Sequence, residues 1–229
     1  MTPDGAYLCP GWPGAPVCAG GETYCTTDLL ADAAMTSALR VASAAFAAQA
    51  PAGFYTWRVV ERPARKNQIL PMTTRDRVGR PVVYLPGSTL DQILFQAAHE
   101  SVHLLCTPPT TFHWTHELVA VLFSLEALKA LGQDDYRRNV IADLEGQARE
   151  LSLEDFMSVT TPVYPPGMYG RAAVFGRQLA HAVGPAGYRS LVRSFGPDGT
   201  PDYWGWVNRL PRRVRQQVIA ISPARPPIA

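Results

Sequence analysis

Between Ser88 and the Pro108-Pro109 pair runs a segment that is apolar nearly all the way round a helix, and it constrains the fold more than any other feature. Ser88 is a natural N-cap and the two prolines bar continuation, which predicts a helix over Thr89–Leu105. Ile93, Leu94, Ala97, Ala98, Val102, Leu104 and Leu105 fall on most of its circumference. A helix without a polar face belongs in a core. Yet this one carries His99, Glu100 and His103. Polar groups in such a place need partners, because burying them unpaired is costly.

The remainder of the chain supports a sizeable core. Its 229 residues are 47% hydrophobic and 17% charged, which excludes the composition of a disordered chain. A net charge of +2 is too balanced to argue for nucleic acid or an anionic membrane. The basic run Arg209, Arg212, Arg213, Arg215 has Asp198 and Asp202 nearby and reads as a solvated face. Apolar stretches are interrupted by proline and glycine before reaching about 20 residues, so no membrane span is expected. The start lacks a basic stretch followed by an apolar one, and Cys9, Cys18, Cys25 and Cys106 lack CxxC spacing. Reduced thiols in a cytoplasmic protein are the expectation.

Twenty-one prolines and 18 glycines divide the chain into short pieces. Residues 1–26 form a Gly/Pro/Cys-rich arm without periodicity. Thr27 or Asp28 caps an Ala-rich helix from Leu29 to about Gln49. Extended segments are expected at Phe54–Glu61, Gln68–Thr73 and Pro81–Leu85, the last flanked by prolines as an edge strand would be. Beyond Thr89 the pattern is helical: about Thr115–Leu131 stopped by Gly132, Asp134–Leu151, Tyr169–Val183, and shorter pieces at Pro185–Phe195 and Pro211–Ile221. The expectation is an α+β fold in one domain over 1–229. A small sheet lobe (27–106) with an edge strand ahead of the His-bearing helix precedes a mostly helical lobe (107–229).

The spacing His99-Glu100-Ser101-Val102-His103 is HExxH. On a helix, positions i and i+4 share a face, so both imidazoles can meet one Zn2+. Glu100 lies about 100° around the helix from His99, beside that ion, where a carboxylate can deprotonate a bound water. Zinc brings the pKa of such a water to about 7. A catalytic zinc takes three protein ligands, and Glu117, separated from His103 by thirteen residues and in the first turn of the next helix, is the candidate for the third. His113 and His116 are competitors for that place. Glu117 can also be read as a first-turn charge on a helix dipole, and the histidines as satisfied core residues.

With Trp114, Glu117 and Ala120 matching W-x-x-E-G-x-A after an HExxH, the chain resembles the gluzincin clan of zinc metallopeptidases, the thermolysin and aminopeptidase-N-like group. Leu118 replaces the usual glycine of that pattern. Tyr169–Phe195 is similar to the aminopeptidase segment whose leading tyrosine stabilises the oxyanion, which implies that role for Tyr169; Gly170-Arg171-Ala172 departs from the pattern, and Tyr164 is a rival. No G-x-M-E-N segment is present, so the resemblance lends no support to an exopeptidase. In the clan an edge strand pairs with extended substrate, a role that would fall to Pro81–Leu85.

The resemblance thus implies a zinc-dependent endopeptidase acting on a peptide or protein substrate. His99, His103 and Glu117 would hold the metal, Glu100 would be the general base and Tyr169 would support the oxyanion. The alternative is a regulatory or partner-binding protein with a structural or relict zinc site, its fourth position closed by a residue such as Cys106 or His116.

Overall fold

The structure, a computed structural model, describes residues 7–8, 24–26, 29–60, 72–75, 79–106, 113–159, 164–196 and 200–223. Most of the arm at 1–26, the cap at Thr27 or Asp28, and the Pro108-Pro109 turn lie outside the described residues. By its contacts the chain divides into two compact units. The first comprises Met1–Pro108 with Ala127–Gln133, and the second Pro109–Glu126 with Asp134–Ala229.

In the first unit, the Ala-rich pattern yields α1, Leu29–Phe46. Ala31, Ala34, Met35, Ala38, Leu39, Ala42 and Phe46 recur every three or four residues and are all buried. This stripe of mostly small side chains lets α1 pack closely along α2, Leu90–Leu105. α1 is long and apolar enough to meet the length and composition of a membrane span. A core helix of a soluble protein and a membrane segment meet this length and composition alike, and 39% of α1 is buried.

Five described strands form one sheet: β1 (Tyr7–Leu8), β2 (Tyr24–Thr26), β3 (Tyr55–Val60), β4 (Met72–Arg75) and β5 (Pro81–Leu85), in the order β1-β2-β3-β5-β4. β3 and β5 run parallel, Tyr55 opposite Val82, and the other pairs are antiparallel. The α+β class expected from sequence is what forms. The edge position expected for Pro81–Leu85 is not: β5 is interior, with β3 on one side and β4 on the other. Val82–Leu85 are buried without alternation, the continuous run of a strand covered on both faces. Pro81 is its first residue and Pro86 follows its last, positions where a missing N–H does not break the ladder. An extended peptide therefore has no open edge on β5. β4 is the edge strand next to it, two residues further along than the expected Gln68–Thr73.

α2 begins one residue later than expected. Thr89, not Ser88, is its N-cap, in a capping box with Gln92: the Gln92 N–H donates to Thr89 Oγ1 at 3.3 Å and Gln92 Oε1 accepts from the Thr89 N–H at 3.4 Å. Ser88 adds its own N–H to Gln92 Oε1 at 2.9 Å. The helix ends at Cys106, whose N–H reaches Val102 O.

The second unit is helical. α3 (Trp114–Ala130) contributes its length up to Glu126, followed in sequence by α4 (Asp134–Gln147), α5 (Leu153–Ser158), α6 (Met168–Ser190), α7 (Tyr203–Arg209) and α8 (Arg212–Ile221). α6 packs on α4, α5 and α8. At Gly176 it meets α3 so closely that a Cβ there would stand 2.7 Å from Leu122 Cγ. The two helices that the sequence suggests around 184–185 are what form: Gly184 takes φ +71° and ψ 171°, outside the helical range, and divides Met168–Ser190 into two helices ahead of Pro185. α5 and α7 were not expected. Both are short, and their signals are the caps Ser152 and Asp202, which accept from the backbone N–H groups of Asp155 and Gly205. Trp114, Phe156, Phe175 and Tyr203 join α3, α5, α6 and α7 in one aromatic cluster, with Trp114 5.1–6.3 Å from the other three ring centroids.

Candidate metal centre

The helical repeat brings His99 and His103 onto one face of α2, and the structure turns their Nε2 atoms towards each other at 3.1 Å. Their rings meet edge to face, 4.9 Å between centroids. One ligand atom from each of His99, Glu100 and His103 lies within 4.8 Å of the others, the one group of this kind among the described residues. His99 and Glu100 are 3% and 2% exposed, and His103 is half-buried, so the group is shielded on the core side and accessible through His103.

The donor set suits a divalent cation. Two nitrogens each 2.0–2.1 Å from a tetrahedral metal stand about 3.3 Å apart, close to the separation found. Two neutral imidazoles and a carboxylate are the ligands that borderline metals take. A His-Glu-His group that could hold a metal ion is thus present in the first unit.

Glu100 is positioned from the sheet. Thr73 on β4 donates its hydroxyl to Glu100 Oε2 at 2.7 Å, with a longer 3.3 Å approach to the Glu100 backbone oxygen. This side chain was not legible as part of the site. The sequence placed Thr73 at the end of a strand, but nothing local links it to a residue 27 positions away.

The other residues singled out from sequence lie in the second unit. Glu117 is buried in the first turn of α3, and the Tyr164 hydroxyl donates to its Oε1 at 3.2 Å. Tyr169 stacks on Tyr164, ring centroids 5.6 Å apart and planes 16° from parallel. Of the two rival tyrosines, Tyr164 sets its hydroxyl on Glu117 and Tyr169 stacks against the Tyr164 ring. His113 immediately precedes α3, and its Nδ1 accepts from the Thr115 N–H at 3.3 Å and faces Thr115 Oγ1 at 2.8 Å, the work of an N-cap. Burial pushes its pKa down to about 4, which keeps Nδ1 an acceptor at neutral pH. His116 is buried beside it, the two rings 6.4 Å apart. Glu126 pairs with Arg189.

His99, Glu100 and His103 therefore form one group in the first unit, while Glu117, Tyr164 and Tyr169 form another in the second. Cys106 is half-buried at the end of α2 and is not a member of the His-Glu-His group. No protein-family model matches this chain, and neither does any curated protein or solved structure.

Proposed function

We propose that the protein is a zinc-dependent peptidase, an endopeptidase, in which Glu100 is the general base. The observation that carries this reading is the convergence of His99 Nε2 and His103 Nε2 to 3.1 Å on a buried helix, with the Glu100 carboxylate in the same group. A zinc ion held by the two imidazoles would supply Lewis acidity and lower the pKa of the attacking water. Glu100 would be the residue that accepts a proton from the attacking water and hands it to the leaving amine. Thr73 keeps the carboxylate oriented for both transfers by occupying one of its oxygens. Glu117, as third ligand, and Tyr169, as oxyanion donor, enter this reading from their sequence patterns, W-x-x-E and the Tyr169–Phe195 segment.

The test is metal analysis together with turnover. E100Q is expected to keep about one zinc per chain and to lose cleavage of an unfolded protein substrate by about 10²- to 10⁴-fold. H103A is expected to lose the zinc itself. Full activity in E100Q would overturn the mechanism. Stable zinc without any turnover in the wild type would leave the structural-site alternative in its place.

A further inference from the structure

A small cavity of about 140 Å³ opens in the first unit beside the metal-binding group. It is lined by Thr73 and Arg75 of β4, Leu104 and Leu105 of α2, and Gln49, Pro51 and Pro81. Its place relative to Glu100 is fixed twice over. Thr73 is both a wall of the cavity and the hydrogen-bond donor to Glu100 Oε2. Leu104 follows Glu100 by one helical turn on the same face of α2. A group in this cavity is one side chain away from the proposed general base.

The lining has a definite chemistry. Thr73 and Arg75, two apart on a strand, point to the same side. Arg75 is exposed and donates to Gly79 O at 2.7 Å, and a guanidinium has further N–H donors to offer. Leu104, Leu105, Pro51 and Pro81 are apolar, Gln49 adds an amide, and no acidic side chain is among the described residues that line the space. Among the described residues the lining thus has one cation and an apolar wall, with the Glu100 carboxylate behind Thr73 rather than in the lining. At about 30 Å³ per water it has the volume of four or five waters, and so of a side chain with as many heavy atoms.

We propose that this cavity is a substrate subsite for a carboxylate on a short stem, and that Arg75 is its specificity-determining residue. The proposal rests on the peptidase reading for the word substrate, but the recognition chemistry stands on the cavity. A carboxylate accepts paired hydrogen bonds from a guanidinium while its methylene stem lies on Leu104 and Leu105. An aspartate or glutamate side chain has the required size and charge, as has the carboxylate that ends a chain. Lysine and arginine side chains would meet the charge of Arg75, and large aromatics exceed the volume.

Binding and cleavage test the two readings separately. The full-length wild-type protein, isotope-labelled, is titrated with N-acetylglutamate N-methylamide, its glutamine counterpart, and N-acetylglycine as a chain-end carboxylate. The amide signals of Thr73, Leu104 and Leu105 are followed. Saturable shifts are expected from a carboxylate probe, with affinity about tenfold weaker for the glutamine probe and about tenfold weaker in R75Q. R75K, which keeps the charge but loses the fork, should fall between. The glutamate and glycine probes distinguish an acidic side chain from a chain end. Equal response to the glutamine probe, or affinity unchanged in folded R75Q and R75K, overturns the proposal. In parallel, a proteome-derived peptide mixture is cleaved by wild type and R75Q. An acidic preference of about tenfold in kcat/KM that disappears in R75Q supports the subsite, and cleavage indifferent to charge overturns it. Carboxylate binding without any cleavage removes the peptidase reading and leaves the cavity's recognition of a carboxylate intact.

Discussion

α2 and α3 are both buried helices with polar residues inside them, and they use those residues in opposite ways. On α2 the polar atoms converge: two imidazole nitrogens face each other at 3.1 Å and a carboxylate joins them within 4.8 Å. On α3 they disperse. His113 and Thr115 pair at the N-terminus, Ser124 bonds back to Ala120 O at 2.7 Å, and Glu117 takes the Tyr164 hydroxyl. Dispersed pairing satisfies each group locally and holds the helix in place. On α2 the imidazoles pair with each other and Glu100 with Thr73, and the convergence of three potential ligands is also what a bound cation would require. The contrast is between polar groups that meet at one point and polar groups spread along a helix.

That contrast can be broken or sharpened. The largest expected effect is on the anchoring side: W114A removes the ring shared by Phe156, Phe175 and Tyr203 and should cost about 3–5 kcal/mol in denaturant unfolding. A loss under about 1 kcal/mol would show that the cluster does not anchor α3. Next comes pH. His113 titrates at about 4 when folded and near 6.5 when unfolded, so below 6.5 the unfolded chain binds a proton that the folded one refuses. Its contribution is intact above about pH 6.5 and declines as pH falls towards 4, by about 3 kcal/mol at full effect. H113N keeps an N-cap acceptor but does not titrate, and should lose that much less stability between pH 7 and pH 4; equal losses would refute the assignment.

Smaller effects probe the two glutamates. T73V removes the donor to Glu100 and should lower kcat/KM about tenfold while zinc content stays the same. Unchanged turnover would mean that Thr73 does not position the base. Y164F removes the donor to Glu117 and should cost about 1 kcal/mol of stability, readable as a lower unfolding midpoint at constant slope.

Local features were legible in the chain itself. Helical spacing and capping residues placed α1, α2, α3 and α8 to within a few residues, because a 3.6-residue repeat and an N-cap act over one turn. Short helices such as α5 and α7 carry too little periodicity to stand out, although Ser152 and Asp202 mark their starts. The prolines around Pro81–Leu85 suggested an edge where the sheet has an interior strand. Proline at a strand's ends is compatible with either position, and only the pairing of β3 and β4 on its two sides decides.

For the candidate site the division is similar. The pairing of His99 and His103 was determined by sequence, since i and i+4 share one face of a helix without help from the rest of the fold. Thr73 on Glu100, the Arg75 cavity beside it, and Tyr164 on Glu117 were decided by tertiary structure. Those partners lie 27 to 47 residues apart in sequence, and chain folding, not local backbone geometry, sets such distances.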